Sequence, residues 1–197
     1  MQLLLIRHAL PLRSEPGQGS DPDLSEEGIE QAKRLPEALA RFPITRLVSS
    51  PQVRSIQTAQ PVADALGLTI EVDERLAEYD RDMAHYIPIE QIAAEFPEEL
   101  ARLAQGHLPS SVDENAFLAR INAGIRDLTA VGDHEDTIAV FTHGGVIGEV
   151  FAQAGRSVER FAFLGADNGS ISHLVLHGDN WIVRRFNDTA HLATPLG

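Results

Sequence analysis

Two aliphatic runs constrain this chain more than any other feature. Residues 2–8, QLLLIRH, and residues 136–143, DTIAVFTH, are short apolar segments that each end on a histidine. Runs of this length and composition read as strands buried on both faces, as in parallel sheets covered by helices. Packing alone gives no reason to close a buried strand on a cation or an imidazole, because an unpaired polar group taken out of water costs free energy. Two such strands in one sheet bring His8 and His143 to the same edge.

The intervening segments alternate between strand and helix periods. Residues 22–42 carry Leu24, Ile29, Ala32, Leu35 and Leu39 at helical spacing, with Ser25 as the candidate N-cap and Glu26 and Glu27 in the first turn. Pro36 is expected to kink or divide that helix. Residues 46–50 read as a second short strand, followed by a helix starting near Pro51 and closed by Gly67. Residues 68–76 read as extended, 86–105 and 113–131 as helices joined by a loop at 106–111, and 144–155 as a helix following the second histidine strand. Residues 170–186 read as a terminal hairpin broken at HGDN. This alternation predicts an α/β fold: a three-layer α/β/α sandwich on a mostly parallel central sheet. Residues 1–197 are expected to form a single domain, with about 79–112 inserted as a helical cap. Ligands of such sheets bind beyond the carboxyl ends of the strands, where both histidines are expected.

Charge and composition narrow the partners. The formal net charge is -13, so the mean field repels nucleic acid and anionic membranes, and neither is an expected partner. A local cationic cluster still suits a small anion, since salt screens the distant charges beyond ~8–10 Å. Lys33 is the only lysine, so almost all the positive charge is arginine. The chain has no cysteine, which excludes disulfides, thiol nucleophiles and thiolate metal sites. No apolar run approaches the ~20 residues of a membrane helix. Residues 1–6 lack the basic flank and apolar length of a secretory signal, so a cytoplasmic location is expected.

Four stretches carry the chemistry: LIRH at 5–8, SSPQVRSIQTA at 49–59, RLAEYD at 75–80 and FTHGG at 141–145. They supply Arg7, His8, Arg54, Glu78 and His143 from strand ends or helix starts. Each residue alone has a plain structural explanation, as a half-buried imidazole, a surface ion pair or a solvated carboxylate. The repetition of strand-then-histidine makes the group more than its members. Two guanidiniums grip a phosphoryl group bidentately, and the helix N-termini after Ser50 and His143 add backbone N–H donors for an anion. A neutral imidazole, with a reference pKa of ~6.5, attacks phosphorus, and a carboxylic acid protonates the leaving oxygen and then activates water. Asp80 lies on the same face of an extended segment as Glu78 and is a rival for the acid.

Taken in order, these motifs resemble the histidine phosphatase superfamily, which includes the cofactor-dependent phosphoglycerate mutases. LIRHALP, DPDLSEEGIEQA, SSPQVRSIQTA, LAE, FTHGGVI and NGSISHLVL from Asn168 carry the resemblance, which covers most of the chain. It implies that His8 is the phosphorylated nucleophile, with Nδ1–H on a backbone carbonyl and Nε2 toward phosphorus. It implies that Arg7, Arg54 and His143 hold the phosphoryl oxygens, His143 also acting in catalysis, and that Glu78 is the proton donor and then the base. No metal and no organic cofactor is implied.

The departures bear on the substrate. Ala9 stands where the family usually has glycine, Pro11 where a Ser or Thr is common, and Ser14 where mutases tend to have asparagine. YDRDMAHYIP follows LAE in place of a Gly-Trp-Glu-Gly type of stretch. Mutases of the family tend to carry a lysine and an arginine pair after the acid, whereas residues 79–112 hold no lysine and only Arg81 and Arg102. The expected activity is therefore hydrolysis of a phosphomonoester, with a small phosphorylated metabolite as substrate. A phosphoglycerate mutase, a phosphoprotein or phosphohistidine phosphatase, and a non-catalytic phospho-ligand binding module are the alternatives. Ser14, Tyr79, Arg81, His85 and Tyr86 are the candidate substrate contacts. A homodimer through an edge strand is compatible with the pattern.

Overall fold

The computed structural model describes residues 1–15, 17–84, 86, 97–105, 107–130, 136–157, 165–178 and 180–193. Their helices and strands are β1 (Gln2–Arg7), α1 (Glu26–Leu39), β2 (Arg46–Ser49), α2 (Val53–Leu66), β3 (Ile70–Val72), α3 (Pro97–Ala104), α4 (Glu114–Ala130), β4 (Thr137–Thr142), α5 (Gly144–Ala154), β5 (Ile171–His177) and β6 (Asn180–Asp188). The strands form one sheet in the order β3-β2-β4-β1-β5-β6. The first four are mutually parallel, and β5 and β6 add the terminal hairpin antiparallel on the other side of β1.

Alternation along the strands sorts the core into two layers. Leu3 and Leu5 of β1, with Ile138 and Val140 of β4, pack on one face against Phe117, Ile121 and Ile125 of α4 and Val146, Ile147 and Val150 of α5. Leu4 and Ile6, with Leu47, Ala139 and Phe141, pack on the other against Leu35 and Leu39 of α1 and Ala59 and Val62 of α2. β1 and β4 are apolar on both faces because both faces are covered. The result is the three-layer sandwich expected from the alternation.

Register positions the site. Arg7 pairs with Thr142, so His8 and His143 are the next residues of neighbouring strands, and the His8 N–H donates to the Thr142 carbonyl at 2.8 Å. Ser49 pairs with Phe141 on β4 and with Val72 on β3, which brings Ser50 and the turn after β3 to the same edge.

Several local expectations need correction. Pro36 lies inside α1 without dividing it. Ile29 is 45% exposed: its position on α1 turns away from the sheet, and the buried stripe is Gly28, Ala32, Leu35 and Leu39. Extended structure after Gly67 stops at Val72, because Asp73 caps a 3-10 turn at Glu74–Leu76 by accepting from the Arg75 N–H. Of the expected 86–105 helix, Pro97–Ala104 is helical, Tyr86 is not, and 87–96 lie outside the described residues. Leu108 is buried in the main core, and Tyr79 and Val112 pack against that core.

Candidate active site

The site gathers at the ends of the four parallel strands: Arg7 and His8 close β1, His143 follows β4, Arg54 lies in the first turn of α2 after β2, and Glu78 follows the 3-10 turn after β3. His8 follows β1 and is 2% exposed. Its Nδ1 lies 2.9 Å from the Ala9 carbonyl. A carbonyl only accepts, so Nδ1 carries the proton and Nε2 keeps its lone pair. Ala9 is wholly buried against Leu24 and Ala32, and its N–H donates to Thr58 Oγ1 at 2.9 Å. Thr58 Oγ1 in turn donates to the Arg54 carbonyl, which ties the loop after His8 to α2. Asn168, just before β5, donates to the His8 carbonyl at 3.1 Å, and the Gly169 N–H donates to the Arg7 and His8 carbonyls.

His143 follows β4 and is the N-cap of α5. Its Nε2 lies 2.7 Å from Ser50 Oγ and 3.3 Å from Ser55 Oγ, and its ring centroid is 5.1 Å from that of His8. His143 Nδ1, Arg7 Nε and Arg54 Nε are buried and have no hydrogen-bond partner among the described residues. Arg7 donates from Nη1 to the Ala166 carbonyl at 2.5 Å.

Burial, followed by the charges of Arg54 and Arg7, pushes His8 well below the ordinary histidine value. Burial, then Arg54, the neighbouring His8 ring and Arg7, does the same to His143. Both rings are therefore neutral near pH 7. Glu78 runs the other way: burial, then the negative charge of Asp80, raises its pKa to about 7, against the pull of N–H donors from Gly145 and Tyr79. Its Oε2 accepts from the Gly145 N–H at 2.8 Å and its Oε1 from the Tyr79 N–H at 3.0 Å. The second glycine of THGG is needed there, since a Cβ at 145 would fall 2.3 Å from Glu78 Oε1.

The helix N-termini are placed as the sequence suggests but are occupied differently. The first amide of α2, Val53, donates to both carboxylate oxygens of Asp21, at 2.8 and 3.0 Å, while α5 gives its Gly145 amide to Glu78. Side-chain carboxylates hold the donors expected to serve an anion. Arg54 has no exposed surface; Asp80 accepts from its Nη2 with both oxygens at 2.9 Å, and the Ser20 carbonyl accepts from Nη1. Asp80 is thus the counter-ion of Arg54 rather than a free acid.

The outer candidates divide. Ser14 Oγ bridges the Gly19 carbonyl and the Tyr86 N–H, and the Tyr86 ring lies 4.6 Å from the Arg54 guanidinium carbon, so both border the site. Tyr79 stacks edge-on against Phe117 at the border of the core, and its hydroxyl feels the charges of Glu78, Asp80 and Arg7. Arg81 lies 3.6 Å from both Glu74 and Asp82. His85 lies outside the described residues. The motif reading missed Gln52, Ser50, Ser55, Thr58 and Asp21; only their place inside SSPQVRSIQTA and before DLS marked them. No group of His, Asp and Glu able to hold a metal ion occurs among the described residues. No helix of the described residues is long and apolar enough to cross a membrane.

The fold and this edge define a class that the comparisons match. The chain belongs to the histidine phosphatase superfamily (branch 1), whose profile covers residues 3–189. It is 28% identical to phosphoserine phosphatase 1 of Hydrogenobacter thermophilus, over 98% of this chain and 94% of that protein. It is 27% identical to a Yersinia pestis protein named "Probable phosphoglycerate mutase GpmB", over 99% of this chain and 96% of that one. A mycobacterial glucosyl-3-phosphoglycerate phosphatase complexed with VO3 has the same fold, with a TM-score of 0.78 at 23% identity over 95% of this chain and 99% of that one.

Proposed function

We propose that this protein hydrolyses small phosphomonoesters through a phosphohistidine on His8. The observation that carries the reading is the hydrogen bond from His8 Nδ1 to the Ala9 carbonyl, which leaves Nε2 unprotonated in a buried, cationic surround. Arg7, Arg54 and His143 stabilise the phosphoryl oxygens as charge redistributes. In the first step His8 Nε2 bonds to phosphorus, the ester P–O bond breaks, and protonated Glu78 gives its proton to the leaving oxygen. In the second, Glu78 carboxylate takes a proton from water, the water oxygen bonds to phosphorus, and the P–N bond breaks to release phosphate. Each turnover consumes one water and returns Glu78 to its protonated form.

The relatives' names favour metabolite phosphomonoesters, phosphoserine among them. A phosphoglycerate mutase is the second reading, favoured by the Yersinia relative and opposed by the lack of lysine at 79–112.

The test is a panel of metabolite phosphates and an aryl phosphate across pH 5–8, with quench trapping of the phosphoenzyme. Phosphate release, an acid-labile phosphoenzyme and competitive inhibition by vanadate are expected. A protein inert to the whole panel and indifferent to vanadate refutes the reading.

A further inference from the structure

The mechanism leaves unused two buried polar residues that touch both halves of the site. Asp80 is 7% exposed and accepts from Arg54 Nη2 with both carboxylate oxygens. Gln52 is 4% exposed; its Nε2 donates to Asp80 Oδ1 at 2.9 Å, and its Oε1 accepts from the Glu78 N–H at 2.7 Å. The amide has one orientation only. Flipped, it would face N–H against N–H at Glu78 and oxygen against carboxylate at Asp80.

We infer that Asp80 and Gln52 are positioning residues for the proposed hydrolysis, forming one buried chain, Arg54–Asp80–Gln52–Glu78, that aligns the phosphate-gripping arginine with the proton donor. The inference rests on the reading of Arg54 and Glu78 above. The chain explains why a carboxylate that would otherwise compete with phosphate for Arg54 sits in the site. Asp80 takes only Nη2 of Arg54, while the Ser20 carbonyl accepts from Nη1, the Asp21 carboxylate lies 3.7 Å from the same nitrogen and the Tyr86 ring packs on the guanidinium. The charge of Asp80 also acts on Glu78, alongside Arg54 and Arg120, and the Tyr79 hydroxyl feels Glu78, Asp80 and Arg7 in turn. The neutral rings of His8 and His143, the cation of Arg7 and the carboxylate of Asp21, which also faces Arg54 and Asp80, share this space.

Three variants test the chain: Asp80→Asn, Gln52→Ala and the double variant, each assayed on an alkyl phosphate and on an activated aryl phosphate over pH 5–9. Asp80→Asn keeps the side chain's size and removes its charge. The expected result is an alkaline limb displaced by about one pH unit to lower pH and a loss of ten- to a hundredfold on the alkyl ester. On the aryl ester, whose leaving group needs little protonation, the loss is under tenfold. Gln52→Ala is expected to lose activity on the alkyl ester with vanadate inhibition within about threefold of wild type. If the two residues act as one chain, the double variant loses no more than the worse single variant. Equal losses on both esters with an unmoved limb, or multiplying losses in the double variant, overturn the chain. Wild-type turnover and its absence in His8→Ala report on the hydrolytic reading itself, so the two failures are distinguishable. Circular dichroism and phosphate-dependent thermal shifts confirm that each variant is folded; should Asp80→Asn not fold, the limb and ester selectivity of Gln52→Ala decide alone, and an unchanged ester ratio there refutes the chain.

Discussion

The ends of β1 and β4 have the same sequence form, the same strand register and nearly the same burial, yet they hold their histidines by opposite nitrogens. His8 is fixed through Nδ1 by the carbonyl of the next residue, and His143 through Nε2 by the hydroxyl of Ser50 on a neighbouring strand end. A carbonyl fixes the tautomer, whereas a hydroxyl, being donor and acceptor, does not. Equivalent positions in a sheet are therefore made inequivalent by their second partners. The β1 end gains a directed lone pair. The β4 end gains a ring whose remaining nitrogen has no partner among the described residues, plus a carboxyl group seated on the amide of its helix.

The largest effect should come from breaking each end in turn. His8→Ala is expected to lower turnover by at least about 10⁴-fold and abolish the phosphoenzyme, as removal of a nucleophile does. His143→Ala is expected to lose about 10²–10³-fold, the scale of one lost oxyanion donor, while still forming a phosphoenzyme. Quench trapping of both variants checks this. A phosphoenzyme in His8→Ala, or none in His143→Ala beside an active wild type, would exchange the two roles.

Next in size is the carboxyl group at the β4 end. Gly145→Ala drives a methyl to 2.3 Å from Glu78 Oε1, so the side chain must leave the helix amide. A loss of about 10²-fold on alkyl phosphates is expected, against less than tenfold on an activated aryl ester. Equal losses on both would mean that the glycine serves the fold and not the acid.

The strand ends that carry the two histidines were legible in the sequence because the signal is local, whereas the order of the strands in the sheet was not. A buried strand shows as an unbroken aliphatic run, and its functional residue is the first polar one after it. Ser25 as N-cap and Gly67 as terminator were legible for the same reason. The counter-ion of Arg54 was not. Gln52, Arg54 and Asp80 are joined across 26 to 28 residues by polar contacts that leave no periodicity. The fate of the helix amides was hidden likewise, since Asp21 reaches Val53 from a loop 32 residues away.

A pH-dependent effect on stability also separates the two ends. The pKa of Glu78 rises from 4.5 to about 7, so the folded protein holds a proton that the unfolded chain has released between those values. Its carboxyl group therefore costs stability as pH rises through that window, by about 3 kcal/mol once above 7. Glu78→Gln does not titrate, so its stability relative to wild type should climb by up to that amount between pH 4 and pH 8. The histidines act in the opposite sense. Their lowered pKa values favour folding at neutral pH, and that contribution falls away as pH drops below 6.5. Urea unfolding of wild type and Glu78→Gln at four pH values measures the difference. A constant gap would mean that folding leaves the Glu78 pKa at its unfolded value.

The smallest effect is expected at Ala9, where the family's usual residue is glycine. The part of Ala9 that matters to His8 is its carbonyl, and the backbone there does not adopt a positive φ. Its methyl faces away from the chemistry, into the contact with Leu24 and Ala32. Ala9→Gly keeps the carbonyl and the N–H bond to Thr58, removes a buried methyl and frees the unfolded chain. It should cost about 1 kcal/mol in urea unfolding and leave kcat/KM on an aryl phosphate within about threefold. A loss of tenfold or more with stability unchanged would show that the methyl holds the His8 tautomer by shaping the turn. The asymmetry between the two strand ends would then rest on a side chain and not on the backbone carbonyl alone.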